Sequence, residues 1–543
     1  MTTRRSFLMC VAGVSANQLL ALGPKAITNS WNVCDFGAKG DGLTLDTRAV
    51  QTAIDSCNAA GGGFVYFPTG GAFLIGTIYL KSHVTLHVDI GASIIGSMDR
   101  LQYGKNTGLS PYYPEEIDRC LIYAKGATNI GLAGDGKIVG KSSDSYVQVP
   151  GATGRDAEQR PMLIRLEECT QITISDLTME RCGSWCIHLK NSKDIFLRNL
   201  RINNDRQDGF DIDGCENTTI SDCHLVCGDD CIAVMTSSPE RPVRNLTISN
   251  CMMRSLCSGL RFGPLSKGNM EDITVSNCVI YDCDLGGIKL GMFEGAEIRN
   301  CVFDNIVMDR VTAPISMFVL TWPDIGSTDA HPKMMPVGKI HHIQFRGIRA
   351  VTKPGPPDPR PDQNSSMFFH GHPASAIEDI LLTDIDVTIA GGGTVQQARR
   401  RDMIDADRID YREDGGVWTD HKDSWGIPPG YGLYARHMKR LVLNNVSLSL
   451  AQADARSPLF FLDSQDVSIT LLQAECAPEA AMVTVRNCSD LTLASTEPRT
   501  KTTLLRLEGE NTSSVELVNN DSRRYSSLFE CVDGANANIV KSN

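Results

Sequence analysis

A short phrase that recurs at nearly constant spacing constrains this 543-residue chain more than any other feature. Each copy alternates apolar and polar residues, as in ITISDL, IFLRNL, TTISDC, LTISNC, ITVSNC and AEIRNC, which is typical of a strand with one buried face. The copies are marked by Asp176, Asn199, Asp222, Asn250, Asn277 and Asn300. Spacings of 23, 23, 28, 27 and 23 residues indicate strands stacked in successive coils of a solenoid.

The repeat predicts an all-β fold, a single-stranded right-handed parallel β-helix. A leucine-rich repeat is the rival, but its Leu-x-x-Leu-x-Leu frame is missing and no helical pattern fills each unit. Weaker copies begin at Ile343, Ile380, Leu441 and Val483, so we predict one domain over residues 27–543. Three segments without the pattern are predicted as long loops, at about 320–340, 352–375 and 390–430.

A short helix is predicted before the first coils. Asp46 is placed to cap it, its apolar face carries Ala49, Val50, Ala53, Ile54 and Cys57, and the glycines from Gly61 end it. Such a helix covers the open end of a solenoid, whose exposed edge otherwise invites aggregation.

The N-terminal residues resemble an export address. Arg4 and Arg5 precede an apolar stretch that runs to about Leu22, so we predict a twin-arginine signal over residues 1–26 and an exported, periplasmic or extracellular protein. The alternative is a short membrane anchor, although the apolar run is shorter than the roughly 20 residues that a bilayer requires. No membrane association is expected after removal of the signal.

The composition limits the classes of partner that the protein is expected to bind. A formal net charge of −12 argues against broad nucleic-acid binding, and we expect a monomer. The 19 cysteines are interpreted as mostly buried small apolar residues, because a twin-arginine substrate folds in a reducing compartment. No Cys-x-x-Cys pair has a matching second half, so neither a metal ion nor a cofactor is predicted.

The candidate active site emerges when the second strand of each coil is aligned. The segments are SWCIHLK, QDGFDID, DDCIAVM, CSGLRFG and GGIKLG, and one column, which begins at Ile187, is predicted to face the core. The next column faces outward and contains His188, Asp211, Ala233, Arg261 and Lys289. A third alignment joins Trp185, Asp208, Asp230 and Ser258, with Asp229 beside Asp230.

Adjacent strands lie about 4.8 Å apart, so Asp208, Asp229 and Asp230 are predicted to crowd one spot. Each aspartate alone is interpreted as a turn residue, but three in register beside two cations predict acid–base catalysis of glycoside cleavage. The predicted substrate-binding residues are Arg261, Lys289, His188, Trp185, Asp211 and Ser258. Trp185 has an alternative interpretation as a packed core residue.

The segments WNVCDFGAKGDG (31–42), QDGFDID, CGDDCIAV (227–234) and GGIKLG resemble glycoside hydrolase family 28, the polygalacturonases and rhamnogalacturonan hydrolases of the pectin lyase-like β-helix superfamily. The resemblance implies a glycosidase that cleaves a pectic poly- or oligosaccharide with inversion. It also implies that Asp229 is the general acid and that Asp208 and Asp230 hold the hydrolytic water. The choice between Asp229 and Asp230 as the acid remains open.

Three departures from the family's pattern bear on the substrate. Its Asn-Thr-Asp is replaced by Arg206-Gln207-Asp208, its Gly-His-Gly by Cys257-Ser258-Gly259, and its Arg-Ile-Lys by Gly287-Ile288-Lys289. Arg261 is the candidate for the missing guanidinium, and the changes favour a rhamnogalacturonan end or a decorated chain over plain galacturonan.

Two other functions remain open. One is a calcium-dependent polysaccharide lyase on the same fold, with Lys or Arg as the base, and the other is a non-catalytic glycan-binding β-helix.

Arg436 and His437, in a late segment that resembles bacterial members, are further candidates for the cleft. Closure of one end of the groove by the long loops favours exo action.

Overall fold

The computed structural model describes residues 30–104, 119–140, 161–324, 333–355, 366–408 and 426–542. Within these ranges the chain winds into a parallel β-helix, as predicted, and the right-handed sense is that of nearly all parallel crossovers. The predicted signal at 1–26 lies outside the described residues. Over the described part of the chain, no helix is both long and apolar enough to cross a membrane.

One face of the solenoid is a fifteen-stranded parallel sheet, called here the site sheet, to which each coil adds one strand. Its strands are Ile78–Tyr79, Cys120–Lys125, Met162–Glu167, Ile187–Lys190, Phe210–Asp213, Ile232–Thr236, Leu260–Ser266, Ile288–Met292, Ile315–Val319, Met367–His370, Gly430–Arg436, Ser457–Leu462, Ala481–Arg486, Thr503–Glu508 and Ser527–Val532.

The other faces form a bent sheet of 27 described strands, called the back sheet. Its strands are Ser30–Asn32, Asp41–Leu45, Gly63–Phe67, Ala72–Ile75, Val84–Val88, Ser93–Gly96, Thr128–Ala133, Lys137–Val139, Thr170–Ser175, Thr178–Glu180, Lys193–Arg198, Arg201–Asn204, Glu216–Ser221, His224–Cys227, Val243–Ser249, Met252–Ser255, Met270–Ser276, Val279–Tyr281, Glu297–Val311, Lys339–Thr352, Ile377–Ile389, Met438–Leu450, Gln465–Ala474, Ser489–Ala494, Glu497–Pro498, Ser513–Val518 and Val540–Ser542.

The Asp or Asn of the repeated phrase makes the bend of the back sheet. Asp222 and Asn250 have φ angles of 57° and 55°, in the left-handed region that Asn and Asp tolerate better than most residues. The Asn250 amide donates to the Asp222 carboxylate of the previous coil at 3.1 Å, so the same residues also bond along the stack.

Two copies of the phrase were misplaced by sequence. Asn300 stacks on Asp272 rather than on Asn277, and the residue that continues the column of Asn277 is Asn305. The copy at Val483 lies in the site sheet, not in the back sheet. The phrase specifies a half-buried strand followed by a turn, and both sheets contain such strands.

The interior of the solenoid is one continuous apolar core. Ile187, Phe210, Ile232, Leu260 and Ile288 are paired in succession across the site sheet and are fully buried, which confirms the predicted inward column. Of the 18 described cysteines, all free thiols, only Cys34 and Cys531 are not buried, which confirms their interpretation as small core residues.

The predicted capping helix is α1, Thr47–Ala59, with Val50, Ala53, Ile54 and Cys57 buried. Asp46 occupies the N-cap position, but its side chain makes no bond to the helix. Its carboxylate instead accepts from the amides of Lys39 and Gly40 at 2.7 and 2.9 Å, so it fixes the preceding turn.

The predicted loops contain regular structure. Strand Met367–His370 lies inside the segment 352–375, and the segment 390–430 holds α2, Val395–Ala398, and a 3₁₀ turn at Ala406–Arg408. Other 3₁₀ turns are Val33–Phe36, Arg100–Gln102, Ser522–Arg524 and Ala537–Ile539. Residues 325–332, 356–365 and 409–425 of these loops lie outside the described residues.

Candidate active site

The outward column of the site sheet is in the predicted register. His188, Asp211, Ala233, Arg261 and Lys289 are paired in succession on neighbouring strands. All five point away from the core, yet all are buried, with Asp211 and Lys289 at 0% exposure. The column, called here the outer row, therefore lines a covered surface rather than an open one.

The three predicted catalytic aspartates lie together at the start of two adjacent strands. The Asp230 amide donates to Asp208 Oδ1 at 2.8 Å, and the Ser258 amide donates to Asp230 Oδ1 at 3.1 Å. One ligand atom each of Asp229, Asp230 and Cys257 lie within 4.8 Å of one another. Asp208 and Asp230 are buried, whereas Asp229 is half-buried, so it is the most accessible carboxylate of the three.

Close backbone approach makes this stacking possible. The Gly209 amide donates to the Asp230 carbonyl at 3.0 Å, directly beside the carboxylates. A Cβ added at Gly209 would lie 2.5 Å from the Cys231 carbonyl oxygen, so no larger residue fits there without a backbone shift.

Two polar residues that sequence reasoning missed hold the catalytic turns. The buried Asn204 amide donates to the carbonyls of Ser184 and Asp208 at 2.9 and 2.8 Å. Ser255 lies two strands away in the same column, and its hydroxyl donates to the Asp229 carbonyl. The available signal was a polar residue at a strand position that faces the interior.

Burial and mutual repulsion dominate the electrostatics. Desolvation raises the pKa of Asp208 well above its usual value, and the neighbouring carboxylates, Asp211 foremost, raise it further. Desolvation likewise raises the pKa of Asp211, a hydrogen bond with Asp208 partly offsets the rise, and the charges of Asp230 and Asp229 add to it. Burial and the neighbouring carboxylates thus disfavour full ionisation of Asp208 and Asp211 next to Asp229 and Asp230.

The predicted sugar-binding pair Trp185 and His188 is packed. The rings meet edge to face with centroids 4.9 Å apart, and Trp185 belongs to a small apolar cluster with Met162, Met235 and Leu265. Burial lowers the pKa of His188 to about 4, so the imidazole is neutral at pH 7. Trp185 is therefore a packed residue, which was the alternative interpretation of this side chain.

The site sheet does not bring Arg436 and His437 to the aspartates. Their strand lies several coils further along, where Arg436 pairs with Asp405 and Asp463 at 2.5 and 3.0 Å. His437 Nε2 lies 2.9 Å from the Asp405 carboxylate, so both residues anchor the segment that contains Asp405.

Known proteins are similar to this chain in sequence and in fold. The sequence profile of "Glycosyl hydrolases family 28" matches residues 68–354, more than half of the chain, and the profile "Rhamnogalacturonase A/epimerase, pectate lyase-like" matches residues 30–101. A "Probable polygalacturonase" from Vitis vinifera is 28% identical over 388 residues, which cover 67% of this chain and 75% of that protein.

Two further relatives are named as exo-acting enzymes. The "Exo-poly-alpha-D-galacturonosidase" from Dickeya chrysanthemi is 24% identical over 58% of this chain and 60% of its own length. The solved structure of a family 28 exopolygalacturonase from Yersinia enterocolitica, 19% identical, shares the fold with a TM-score of 0.56 over 91% of this chain and 79% of that one. The chain belongs to the glycosyl hydrolases of family 28 and is a glycosidase.

Proposed function

We propose that this glycosidase hydrolyses galacturonan-type pectic chains by inverting acid–base catalysis. We prefer galacturonan to the rhamnogalacturonan end or decorated chain that the departures from the family's pattern favoured, because a polygalacturonase and an exo-poly-alpha-D-galacturonosidase are among the similar proteins. The observation that supports the proposal is the stack of Asp208, Asp230 and Asp229 beside two cations, Arg261 and Lys289, on adjacent paired strands. The carboxylates supply the acid and the base of glycoside cleavage. The cations complement the carboxylate that each uronic acid unit carries.

In the proposed reaction Asp229 protonates the leaving glycosidic oxygen. Asp208 and Asp230 each have one oxygen fixed by a backbone amide, which leaves the other oxygen to bind water. Asp230 is the base that activates this water, because the raised pKa of Asp208 disfavours its ionised form. Asp211 is a positioning residue, because the proton it shares with Asp208 lowers the net charge of the cluster. Ser258 acts through its amide, which holds Asp230 in place.

Lys289 and Arg261 are proposed to bind the substrate carboxylate that the family's lost arginine would bind. They are partners in register, so an ammonium and a guanidinium project from adjacent strands about 4.8 Å apart. A planar guanidinium binds a carboxylate with two parallel hydrogen bonds, which an ammonium does not provide.

Exo action is proposed from the far end of the same row. Beyond Ser316 the outer row continues as Phe368, Tyr434 and Phe460, which pack against Met403 of the segment after α2. A groove that ends against such a wall accepts a chain end and not a long polymer. Mid-length fragments released early from a long substrate would contradict this part of the proposal.

Export by the twin-arginine route is proposed from Arg4, Arg5 and the following apolar stretch. Lysine at both positions is expected to leave the protein in the cytoplasm, which fractionation measures. The monomeric state remains a prediction that size-exclusion chromatography with light scattering tests.

Product analysis with Asp229→Asn tests the main proposal. Wild-type protein is incubated with polygalacturonan, rhamnogalacturonan and their oligosaccharides, and chromatography follows reducing ends while absorbance follows unsaturated ends. Saturated galacturonan products that vanish in Asp229→Asn are expected. The matched control is Asp222→Asn, an exposed aspartate of the same coil on the back sheet.

Each other result assigns a different function. Unsaturated products would identify a lyase. Oligosaccharide binding without any product would identify a non-catalytic β-helix. Cleavage of rhamnogalacturonan alone would contradict the galacturonan substrate but keep the hydrolase.

A further inference from the structure

Two neighbouring positions of the outer row, Arg165 and His188, carry side-chain nitrogens without a hydrogen-bond partner among the described residues, because the row extends from His188 to Arg165 on the preceding strand. Arg165, His188 and Asp211 are paired in succession and are all buried. Over the described residues, Nε and Nη1 of Arg165 and Nδ1 of His188 lack a hydrogen-bond partner, and His188 Nε2 lies 3.7 Å from Asp213 Oδ2, beyond hydrogen-bond distance. Buried polar groups are normally paired, so this run of unsatisfied atoms marks a place where a ligand completes the bonding.

Arg165 carries a buried positive charge, so its environment matters most. Its side chain is 1% exposed, and its one hydrogen bond joins Nη2 to Glu167 Oε2 at 3.3 Å. Glu167 also accepts from Lys125 Nζ and from the Tyr123 hydroxyl, each at 3.3 Å. Arg165 therefore shares its counter-ion, Glu167, with Lys125, which also pairs with Glu168 at 3.5 Å.

The position of Arg165 along the solenoid mirrors that of Arg261. Arg165 lies two strands from Asp211 on one side, and Arg261 lies two strands from it on the other, with Ala233 between. At about 4.8 Å per strand, the strands that carry the two arginines each lie about 10 Å from the Asp211 strand along the stack. Cations thus flank the aspartate cluster on both sides.

We propose that Arg165 binds the carboxylate of a uronic acid unit on the opposite side of the cleaved bond from Arg261 and Lys289, with His188 bonding a hydroxyl of the bound chain. The assignment rests on the proposed function and sharpens it. Both sides of the scissile bond then require an unesterified uronic acid. This specificity favours unsubstituted galacturonan over a chain in which uronic acid alternates with a neutral sugar.

The test uses Arg165→Gln and Arg165→Lys with two substrates, an oligogalacturonide and the same oligosaccharide methyl-esterified only on the unit that Arg165 would bind. For Arg165→Gln, kcat/KM on the free acid is expected to fall about 10- to 100-fold, the loss of one charge-assisted hydrogen-bonded contact. On the methyl ester the variant and the wild type are expected to be equal. Arg165→Lys is expected to recover part of the loss, because it keeps the charge but not the paired geometry.

Arg198→Gln is the matched control, since Arg198 is an exposed arginine on the back sheet. An equal fall on both substrates would overturn the subsite, because it would indicate a structural role. An unchanged Arg165→Gln would overturn it as well.

The wild type provides a reading that does not depend on the variants folding. Equal rates on an oligosaccharide esterified only on the unit that Arg165 would bind and on the free acid would overturn the subsite. A wild type that cleaves neither galacturonan substrate would instead overturn the proposed function.

Discussion

The outer row of the site sheet has two halves that share register and spacing but differ in chemistry. From Arg165 to Ser316 the row is polar except at Ala233, and it contains the residues around the aspartates. From Phe368 through Tyr434 to Phe460 it is a stack of rings, with centroids 5.4 and 6.0 Å apart. A parallel ladder delivers side chains at one spacing, so the type of side chain decides whether the face becomes a site or a core.

The aromatic half is a second apolar core on the outside of the solenoid. Met403 and Ala406 of the segment after α2 pack on its rings. Arg401 fastens the same segment, because its guanidinium lies 4.8 Å from the Phe460 ring centroid and pairs with Glu508 at 2.6 Å. The family 28 profile ends at residue 354, so the polar half lies within the matched region and the aromatic half beyond it.

The largest expected effect is on turnover, and it distinguishes the polar half of the outer row from the aromatic half. Asp230→Asn is expected to lower kcat about 1,000-fold or more, because an amide cannot act as a base toward water. Release of reducing ends measures it. Asp463→Asn, a matched change beside Arg436 beyond the polar half, is expected to leave kcat near wild type. Wild-type turnover in Asp230→Asn would remove the catalytic role of the polar half.

The next largest expected effect is on stability, and it distinguishes the aromatic half of the outer row from the polar half. Phe368→Ala is expected to cost about 3–5 kcal/mol, because it leaves a cavity in a fully buried ring stack. Denaturant unfolding followed by circular dichroism measures the loss, and turnover per folded molecule is expected to persist. Phe196→Ala, at a ring 54% exposed on the back sheet, is the control with little expected change. Equal stability of Phe368→Ala and wild type would show that the rings are not a core.

A smaller effect tests the electrostatic strain of the polar half. The folded-state pKa of Asp211 is raised, so its contribution to stability falls as pH rises from about 4, the unfolded value, through the folded pKa. Asp211→Asn removes that penalty, and its melting temperature is expected to exceed the wild-type value at pH 8 by more than at pH 4. The gain in unfolding free energy is on the order of 1 kcal/mol.

Asp176→Asn is a comparison variant for which the change in stability is expected to have the opposite sign. Hydrogen bonds from Asn199 and Ser175 lower the pKa of Asp176, so its contribution is present above the unfolded pKa and is lost as pH falls. That variant is expected to be less stable than wild type at pH 8. A stability gain of Asp211→Asn that does not grow with pH would contradict the raised pKa.

The smallest expected effect lies in the aromatic half. The buried Tyr434 hydroxyl has no hydrogen-bond partner in the described part of the chain, so Tyr434→Phe is expected to be neutral or to stabilise by up to about 1 kcal/mol. Calorimetric melting measures it. A clear loss of stability would mean that this hydroxyl supports the covering segment and that the aromatic half depends on polar bonding as well.

The sequence by itself determined the coil, the register and the neighbours within the site. Asp208, Asp230 and Ser258 were aligned by comparing the segments, and the amides of Asp230 and Ser258 donate to the carboxylates of Asp208 and Asp230 in that order. This comparison was sufficient because each coil is bonded to the next strand by strand, so sequence periodicity translates directly into position.

Tertiary structure decided what covers each position and which sheet it joins. The burial of His188, the place of Arg165 beside it and the wall built by Met403 all depend on packing between segments far apart in sequence. The copy at Val483 joined the other sheet for a related reason. An alternating pattern of apolar and polar residues shows that one side of a strand is buried. Only the packing of the folded chain determines which segment covers that side, and whether the other side of the strand is buried as well.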